Sequence, residues 1–471
     1  MFKCSKLVAL LAVVLCHVVS FHMATVVNAD ERPNIILMMA DDHGWGDTGY
    51  NGHAFARTPH LDRMAAEGLR FDRWYAAAPV CSPTRGSCLT GRHPSRYGIH
   101  FANVGRLEPS ELCLAEVLQA EGYTTGHFGK WHLGSLTTDI KDANRGGPGS
   151  DAVYSPPWDN GFDVCFSTES KVPTFDPMIK PPAVSRESKG GPGGFYGTYY
   201  WTGPRQRVDA SQLRGDDSRL IMDRAIRFIE KATAESKPFC AVIWFHAPHT
   251  PVVADKQHRD LYPNHPFGGY GQHYHGCITA FDEQVGRLRE VLQSKGTAEN
   301  TMLWYSSDNG PESSATSGAG TSGLFRGRKR SLYEGGVRVP GLLVWPDKIK
   351  AARVTNVPCV SSDYFPTIMD ALGLKLADRP YDGVSLMPLI SGQMTARPPI
   401  GFLSKKQIAW VDGDYKLYSN DEGRSWELYN ITADPREQKN LAASQRQRVS
   451  QMAASARQWI MSCQQSLRTG R

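Results

Sequence analysis

The chain has 471 residues, of which 41% are hydrophobic and 10% aromatic, an ordinary composition for a globular protein with one large core or two. Its formal charge of +6 is small and scattered along the chain. This charge argues against a nucleic-acid-binding protein, and it is compatible with a polyanionic substrate without requiring one.

The first predicted element is a secretory signal over residues 1–29. Lys3 and Lys6 form a basic start, an apolar run follows, and the small residues of "VNA" precede Asp30. The apolar run is short for a transmembrane helix, and no later segment is long and apolar enough to span a bilayer. We therefore expect an exported protein, secreted or periplasmic, that is cleaved near Ala29 and has no membrane span.

Strands and helices alternate up to about residue 374. Strands are predicted at 34–42, 123–134, 238–249 and 301–310, and helices at 58–69, 112–122, 216–232, 275–295 and 361–374. The stretch from 138 to 205 is rich in Gly, Pro and aromatic residues, which is typical of long surface loops. The alternation predicts an α/β domain around a largely parallel sheet.

The C-terminal part of the chain has a different pattern. Hairpin-like segments at 407–419 and 424–430 precede a polar helix at about 442–465. We expect a catalytic domain over residues 30–360 and a smaller C-terminal subdomain over residues 361–471.

Eight cysteines remain after cleavage of the signal, and their spacing contains no Cys-x-x-Cys pair. That spacing argues against a zinc site. In an exported protein, an even number allows four disulfides, whereas chemical use of one cysteine would leave at least one other free. The sequence does not give the connectivity.

Four of the predicted strands end in polar residues. These strand ends are Asp41-Asp42, Lys130-Trp131-His132, His246 to His249, and Asp308-Asn309. Each alone has an ordinary explanation as a cap, a turn or a solvated surface group. Ligands of open α/β sheets bind outside the carboxyl ends of the strands, so the four ends together indicate one site, with Cys81 at its edge.

The residue types at this site predict an anion bound over a metal ion. The candidate metal ligands are Asp41, Asp42, Asp308 and Asn309. Their hard oxygen atoms suit Ca²⁺ or Mg²⁺ rather than zinc. The neighbouring cations, Arg85, Lys130 and Lys329, would turn the balance of charge positive. Backbone N–H groups at the helix start near Cys81 add to this attraction.

The segment "CSPTRGSCLTGR" (81–92) resembles in full the signature of type I sulfatases, Cys-x-Pro-Ser/Thr-Arg followed by Thr-Gly-Arg. Other segments are similar to the remaining blocks of that family, in the same order, over residues 34 to about 345: "ADDHGWGD", "GKWHLG", "APHTP", "SSDNGPE" and "RGRKRSLYEGGVRVPG". The tail segments "DGVSLMPLISG" and "WELYNITADPREQKNLA" resemble its C-terminal part. The wording of the motifs is most similar to the arylsulfatase and N-acetylgalactosamine-6-sulfatase branch.

The resemblance implies an alkaline-phosphatase-like α/β/α sandwich around a large, mostly parallel mixed sheet. The implied C-terminal subdomain is α+β, an antiparallel sheet plus a helix. The resemblance also implies that a formylglycine-generating enzyme oxidises Cys81 to Cα-formylglycine, which is hydrated to a geminal diol. One hydroxyl of the diol attacks sulfur, and the other lets the aldehyde reform and expel sulfate. The implied cation is Ca²⁺, with Mg²⁺ as the other possibility.

The resemblance assigns roles residue by residue. The implied metal ligands are Asp41, Asp42, Asp308, Asn309 and the oxygen of the modified Cys81. Arg85 and Lys130 are expected to hold the hydrated aldehyde, with Lys130 also contacting sulfate, and His132 to act as the base for sulfate elimination. His249 and Lys329 are expected to bind sulfate oxygens near the leaving group, which one of them protonates.

The function that follows is a sulfuric ester hydrolase that releases inorganic sulfate from a sulfated carbohydrate or an aryl sulfate. Two alternatives stay open at this point. One is a phosphonate monoester or phosphodiester hydrolase that uses the same modified cysteine. The other is a non-catalytic binder of sulfated glycans in which Cys81 keeps its thiol. The sequence does not give the sulfated sugar or the sulfate position.

Overall fold

The structure is a computed structural model, and it describes residues 32–181, 192–312 and 319–470. The secretory signal predicted over residues 1–29 lies outside the described residues. Within the described ranges, every helix is too short or too polar to cross a membrane.

The strands, in chain order, are β1 (Asn34–Ala40), β2 (Leu69–Phe71), β3 (Trp74–Tyr75), β4 (Thr124–Lys130), β5 (Val164–Thr168), β6 (Tyr200–Gly203), β7 (Gln206–Arg207), β8 (Phe239–Trp244), β9 (Thr301–Ser307), β10 (Arg338–Val339), β11 (Gly341–Val344), β12 (Arg353–Thr355), β13 (Cys359–Val360), β14 (Ile400–Ser404), β15 (Gln407–Asp412), β16 (Tyr415–Ser419) and β17 (Glu427–Asn430). The α-helices are α1 (Pro59–Glu67), α2 (Cys81–Thr90), α3 (Leu114–Ala120), α4 (Asp217–Ala234), α5 (Lys256–Asp260), α6 (Gly268–Ser294), α7 (Glu334–Val337), α8 (Tyr364–Ala371), α9 (Met387–Ile390) and α10 (Arg446–Thr469).

The main sheet has ten strands in the order β12-β2-β11-β9-β1-β8-β4-β5-β6-β7. Its centre, from β9 to β5, is parallel throughout. The flanking strands β11 and β6 run antiparallel to that centre, so the sheet is mixed. The strands at the centre are nearly continuous apolar runs because both faces of a parallel sheet are covered by helices.

Alternate side chains of β1 enter two different cores. Ile35 and Leu37 belong to a core shared with α3 and α8, whereas Ile36 and Met38 belong to a core shared with α4 and α6. This alternation follows from the two-residue period of a strand. Helices therefore cover both faces of the sheet, which confirms the predicted α/β/α sandwich.

The C-terminal part of the chain forms a separate antiparallel sheet, β14-β15-β16-β17. Leu417 and Leu428 on one face pack against α10, while Phe402 and Tyr429 on the other face pack against Tyr75 and its neighbours in the catalytic part. This confirms the predicted antiparallel sheet plus helix. The boundary between residues 360 and 361 stays a prediction.

The structure differs from the sequence-based expectation in two places. Residues 138–205 are not all surface loop, because β5 and β6 join the main sheet and Phe166 of β5 is buried. The five-residue strand β5 was missed because Gly- and Pro-rich segments surround it. Helix α6 begins at Gly268 rather than near residue 275, since its first turns contain glycines that sequence reasoning places in loops.

The eight cysteines among the described residues are all buried and form no disulfide. Cys240 and Cys359, for example, are fully enclosed in the core that contains α3 and α8. Cys240 and Cys359 therefore act as small apolar side chains.

Candidate active site

The four central strands β9, β1, β8 and β4 are neighbours in the main sheet, and their carboxyl ends deliver the predicted residues to one place. Helix α2 adds Cys81 and Arg85 at the same edge. The ten predicted residues that come together there are Asp41, Asp42, Cys81, Arg85, Lys130, His132, His249, Asp308, Asn309 and Lys329. All of them are buried.

Two acceptor oxygens at the centre of this cluster have no hydrogen-bond partner. They are Oδ1 of Asp41 and Oδ1 of Asn309, both buried. Asn309 uses its other amide atom, because Nδ2 donates to Oδ1 of Asp42 at 2.7 Å. Buried acceptors without a partner are costly unless a cation or a donor approaches them. Carboxylate and amide oxygens are the donors that Ca²⁺ and Mg²⁺ prefer, so the residues present fit such an ion.

Distances within the cluster support the same interpretation. In each of two groups, the possible ligand atoms lie within 4.8 Å of one another: Asp41, Cys81 and Asp308, and Asp41, Asp42 and His249. The Cys81 side chain therefore lies beside the carboxylates, where the resemblance requires an oxygen that shares their cation.

Each of the three site carboxylates has a different buried lysine or arginine as its nearest cation. The N–O distance is 2.6 Å in each of the three pairs, which are Lys130 with Asp41, Arg85 with Asp308, and Lys329 with Asp42. Pairing of this kind offsets the cost of burying isolated charges. Because the three negative and three positive charges cancel, a divalent cation would make the site positive and favourable for an anion.

The two carboxylates nearest Cys81 differ in their affinity for a proton. Burial disfavours the charge on Asp41, but Lys130 and other nearby cations hold its pKa well below the usual value. Burial, together with the negative charge of Asp41, raises the pKa of Asp308 to about 7. Of the two, Asp308 is therefore the more ready proton acceptor.

Cys81 is the first residue of α2, and all residues of this helix from Cys81 to Thr90 are buried. Burial raises the pKa of the Cys81 thiol, so the thiolate that a cysteine nucleophile needs is disfavoured. The residue before the helix, Val80, gives no side-chain cap, which leaves the first N–H groups of α2 available to an anion.

Arg85 is held rigidly beneath the cluster. Its Nη1 donates to the backbone oxygen of Lys130 at 3.0 Å, and its Nε and Nη2 both donate to Oδ2 of Asp308. The guanidinium carbon lies 5.2 Å from the centre of a Trp244 ring, a cation–π contact. The guanidinium group of Arg85 thus bonds to Asp308 and to the backbone of Lys130. We infer that it positions these residues rather than binding substrate directly.

His132 is oriented by a residue that sequence reasoning missed. Its Nε2 lies 2.7 Å from Oδ1 of Asn103, and its Nδ1 is buried without a partner. Burial lowers the pKa of His132 well below the usual value, so the ring is neutral. The Nε2–H therefore donates to Asn103, which leaves the lone pair on Nδ1. No sequence signal marked Asn103, whose contact depends on the path of a loop.

His249 and Lys329 both lie beside Asp42. His249 donates from Nδ1 to the backbone oxygen of Thr250 at 2.5 Å, and its Nε2 is 3.6 Å from Oδ2 of Asp42. Burial lowers the pKa of His249 to about 4. Burial acts against the charge of Lys329, but Asp42 and its neighbours outweigh it and raise the pKa, so this lysine stays protonated.

His246, at the end of β8, makes structural contacts instead. Its Nδ1 lies 2.7 Å from Oδ2 of Asp217, and its Nε2 lies 2.8 Å from the hydroxyl of Thr168. Both nitrogens are occupied and the ring is fully buried. His246 therefore ties β8 to α4 and β5.

Comparisons with known proteins cover both parts of the chain. A family model described as Sulfatase matches residues 33–374, and one described as N-sulphoglucosamine sulphohydrolase, C-terminal, matches residues 320–465. The chain is 33% identical over 423 residues to N-acetylgalactosamine-6-sulfatase of Mus musculus, a match covering 86% of this chain and 75% of the relative. It is 33% identical over 429 residues to arylsulfatase A of Bos taurus, covering 86% and 78%. The crystal structure of Ps i-CgsB superposes with a TM-score of 0.80 at 26% identity, covering 92% of this chain and 94% of that one.

Proposed function

The chain belongs to the sulfatase family of sulfuric ester hydrolases, and we propose that it releases sulfate from a sulfated carbohydrate through a formylglycine made from Cys81 beside a calcium ion. The observation that carries this proposal is the position of the Cys81 side chain. Its sulfur lies within 4.8 Å of carboxylate oxygens of both Asp41 and Asp308. Lys130 pairs with Asp41 and Arg85 pairs with Asp308, and Lys329 pairs with the adjacent Asp42.

We assign the metal to Asp41, Asp42, Asp308, Asn309 and the side chain at position 81, with Mg²⁺ as the other cation that these ligands suit. The buried Oδ1 atoms of Asp41 and Asn309, which have no hydrogen-bond partner, support this assignment. Bound there, calcium would stabilise negative charge on an oxygen of the sulfate ester. The hydrated formylglycine would supply the hydroxyl that attacks sulfur.

The remaining residues bind, orient and move protons. Arg85 and Lys130 hold the group at position 81, and Lys130 also faces the sulfate; both are fixed by ion pairs with the carboxylates. His132 accepts a proton at Nδ1, the nitrogen left free by the bond to Asn103. Lys329 and His249 bind sulfate oxygens beside the leaving group, and one of them protonates it. A positioned acid or base of this kind contributes about 10²–10⁴-fold to the rate.

The experiment that tests this function uses purified protein whose residue 81 has been checked by peptide mass spectrometry, because the aldehyde is lighter than the thiol. Sulfate release is then measured over p-nitrophenyl sulfate and a panel of sulfated sugars. We expect turnover in proportion to the fraction of formylglycine. Turnover that does not depend on that fraction would overturn the assignment of Cys81.

Two further results would favour the alternatives. A higher kcat/KM for a phosphate or phosphonate ester than for a sulfate ester with the same leaving group would favour chemistry at phosphorus. An intact Cys81 thiol in protein from its own host would favour a binder of sulfated glycans.

We also propose the remaining features that the sequence predicts. They are a catalytic domain over residues 30–360, a C-terminal subdomain over residues 361–471, export with cleavage near Ala29, and maturation by a formylglycine-generating enzyme. Limited proteolysis and N-terminal sequencing of the exported protein test the boundaries.

A further inference from the structure

A cleft of about 750 Å³ is lined mainly by the C-terminal sheet and α10, with Ser95 and His100 from the catalytic part of the chain. One wall is the hairpin turn Lys405-Lys406 between β14 and β15, and another is α10 with Arg457. His100 lines the cleft from the catalytic side, and Trp426 lines it from the C-terminal sheet. We call this space the Lys405 cleft.

Lys405 connects this cleft to the segment that holds His132. The ammonium group of Lys405 is 4.4 Å from the centre of the Phe101 ring. Phe101 comes two residues before Asn103, whose side chain holds His132. The turn between β14 and β15 therefore approaches the side of the site that contains the proposed base.

A second contact ties the same hairpin to the segment that contains Lys329. Nε2 of Gln407 donates to the backbone oxygen of Arg330 at 2.8 Å, and Arg330 directly follows Lys329. Oε1 of Gln407 accepts from the backbone N–H of Leu332 at 2.9 Å. The hairpin thus contacts both the segment of Phe101, which leads to Asn103, and the segment that directly follows Lys329.

The basic side chains of the cleft are available to a negatively charged ligand. In the described part of the chain, no carboxylate pairs with Lys405, Lys406 or Arg457. The acid at the cleft, Glu422, is already 3.3 Å from Arg424. These unpaired cations suit an anionic ligand.

The rest of the lining suits a sugar. Trp426 is half-buried, with the guanidinium carbon of Arg457 6.0 Å from the centre of its ring, and Met461 on α10 is 60% exposed. Sugar-binding sites combine such surface, on which the C–H face of a ring can lie, with a few polar groups that fix orientation. A surface that is both apolar and cationic matches a sulfated saccharide.

The backbone of Lys405 adds an independent observation. Its φ is +54°, a left-handed conformation that glycine and asparagine adopt more readily than lysine. Two-residue hairpin turns favour Asn and Gly for the same reason. Unfavourable backbone conformations tend to persist where a side chain has a function.

We propose that the Lys405 cleft binds a second sulfated sugar of the substrate chain, next to the residue whose ester is cleaved. This inference rests on the proposed function and makes it more specific: the preferred substrate is a multiply sulfated oligosaccharide rather than a single sugar or an aryl sulfate.

The test compares wild type with the double variant Lys405→Asn/Lys406→Gln. Substrates are p-nitrophenyl sulfate and sulfated hexasaccharides prepared from chondroitin sulfate and carrageenan. The measured quantity is the ratio of kcat/KM for a hexasaccharide to kcat/KM for p-nitrophenyl sulfate. We expect this ratio to fall about tenfold or more on the hexasaccharides that wild type cleaves, since charge-assisted hydrogen bonds are lost. An unchanged ratio would overturn the inference.

A matched control is available at the other end of the main sheet. Lys348 lies 5.8 Å from the centre of a Trp345 ring, as Lys405 lies over Phe101, and Asp347 nearby donates its N–H to the oxygen of Glu299, just before β9 begins. The variant Lys348→Gln/Lys350→Gln removes the same charge far from the cleft, and we expect it to keep the ratio. Asn also suits the left-handed turn, so Lys405→Asn should keep the melting temperature, which separates lost binding from lost folding.

The failure of the proposed function has a different signature. If formylglycine-containing protein turns over none of the substrates, the sulfatase proposal fails. The cleft is then judged by calorimetry with the same hexasaccharides and their desulfated forms. Binding that requires sulfate and weakens about tenfold in Lys405→Asn/Lys406→Gln supports the cleft. Equal affinity of wild type and variant refutes it.

Discussion

The side-chain oxygen of Asn103 lies 2.7 Å from Nε2 of His132 and fixes which nitrogen of that ring is free. Both residues have left-handed backbone conformations, with φ of +63° and +61°. Such strain is retained where the surrounding structure determines it, commonly at functional sites. Nδ2 of Asn144 donates to the same oxygen at 3.1 Å, which steadies the amide.

Asn103→Leu should therefore lower kcat with little change in KM, because the proposed base loses its orientation while the sulfate-binding residues remain. We expect a loss of about ten- to a hundredfold, part of the 10²–10⁴-fold that a general base contributes. Asn103→Asp keeps the acceptor and should recover part of the rate. The tautomer of His132 is measured by ¹⁵N NMR of labelled histidine, and a wild-type ring protonated at Nδ1 would contradict this account.

Cys81→Ser should reduce sulfate release to the background rate. A serine side chain cannot form the geminal diol, so it lacks the internal route by which the aldehyde reforms. Sulfate release from p-nitrophenyl sulfate measures the effect, with Cys88→Ser, a buried cysteine in the same helix, as the control. Wild-type turnover in Cys81→Ser would refute the aldehyde mechanism.

Asp308→Ala should lose bound calcium and activity together. The substitution removes a proposed carboxylate ligand and leaves the buried Arg85 without its closest partner, with Asp41 3.6 Å away, so stability should also fall, by about 3–5 kcal/mol. Metal content by mass spectrometry and unfolding by urea separate the two effects. Asp217→Ala, which removes a buried carboxylate outside the cluster, serves as the control and should keep its calcium. Full calcium content in Asp308→Ala would remove Asp308 from the ligand set.

His249→Ala should slow esters with poor leaving groups more than activated aryl esters. The imidazole lies beside Asp42 and Lys329, where the alcohol departs in the proposed mechanism. An alcohol with a high pKa needs protonation as it leaves, whereas nitrophenol does not. The slope of log kcat/KM against the leaving-group pKa is the measurement. Equal losses on all esters would argue for a binding role alone.

Asp142 gives a prediction about stability and pH. Its carboxylate accepts N–H groups from Tyr199 and Trp201, yet burial outweighs them and raises the pKa to about 7. Because the folded protein holds this proton more tightly than the unfolded chain, its contribution to stability is present at low pH. It is lost as the pH rises from about 4 to about 7, by about 1.4 kcal/mol per pH unit.

The variant Asp142→Asn removes this titration. Unfolding free energies of wild type and variant, measured in urea from pH 5 to pH 8, should differ by an amount that changes with pH. Wild type should lose stability relative to the variant as the pH rises. Parallel curves would show that the carboxyl group ionises normally in the folded protein.

Sequence reasoning predicted the site because seven of its ten residues lie at or after the ends of four strands. Once β1, β4, β8 and β9 are parallel neighbours, the residues after them must meet at one edge, and residue chemistry then selects a cation and an anion. The structure brings the ten predicted residues together, the others being Cys81 and Arg85 on α2 and Lys329 on a loop. Their catalytic roles remain predictions.

The sequence pattern could not predict contacts between loops that are distant along the chain. The position of Asn103 beside His132, and of Lys405 over Phe101, depends on how a loop and a hairpin fold back over the site. Neither has a local periodicity or a spacing that reports it. The short strand β5 was missed for a related reason, since five residues in a Gly- and Pro-rich stretch carry too little pattern.

The complete burial of α2 limits when Cys81 could be oxidised during the folding of the protein. The proposed formylglycine-generating enzyme would have to reach Cys81 and the residues after it, and the finished fold buries every residue of this helix. Under that proposal, oxidation takes place on the nascent or still-unfolded chain, before the main sheet closes over the helix. Protein folded in a cell without that enzyme would be well formed and permanently inactive, and adding the enzyme later would not rescue it.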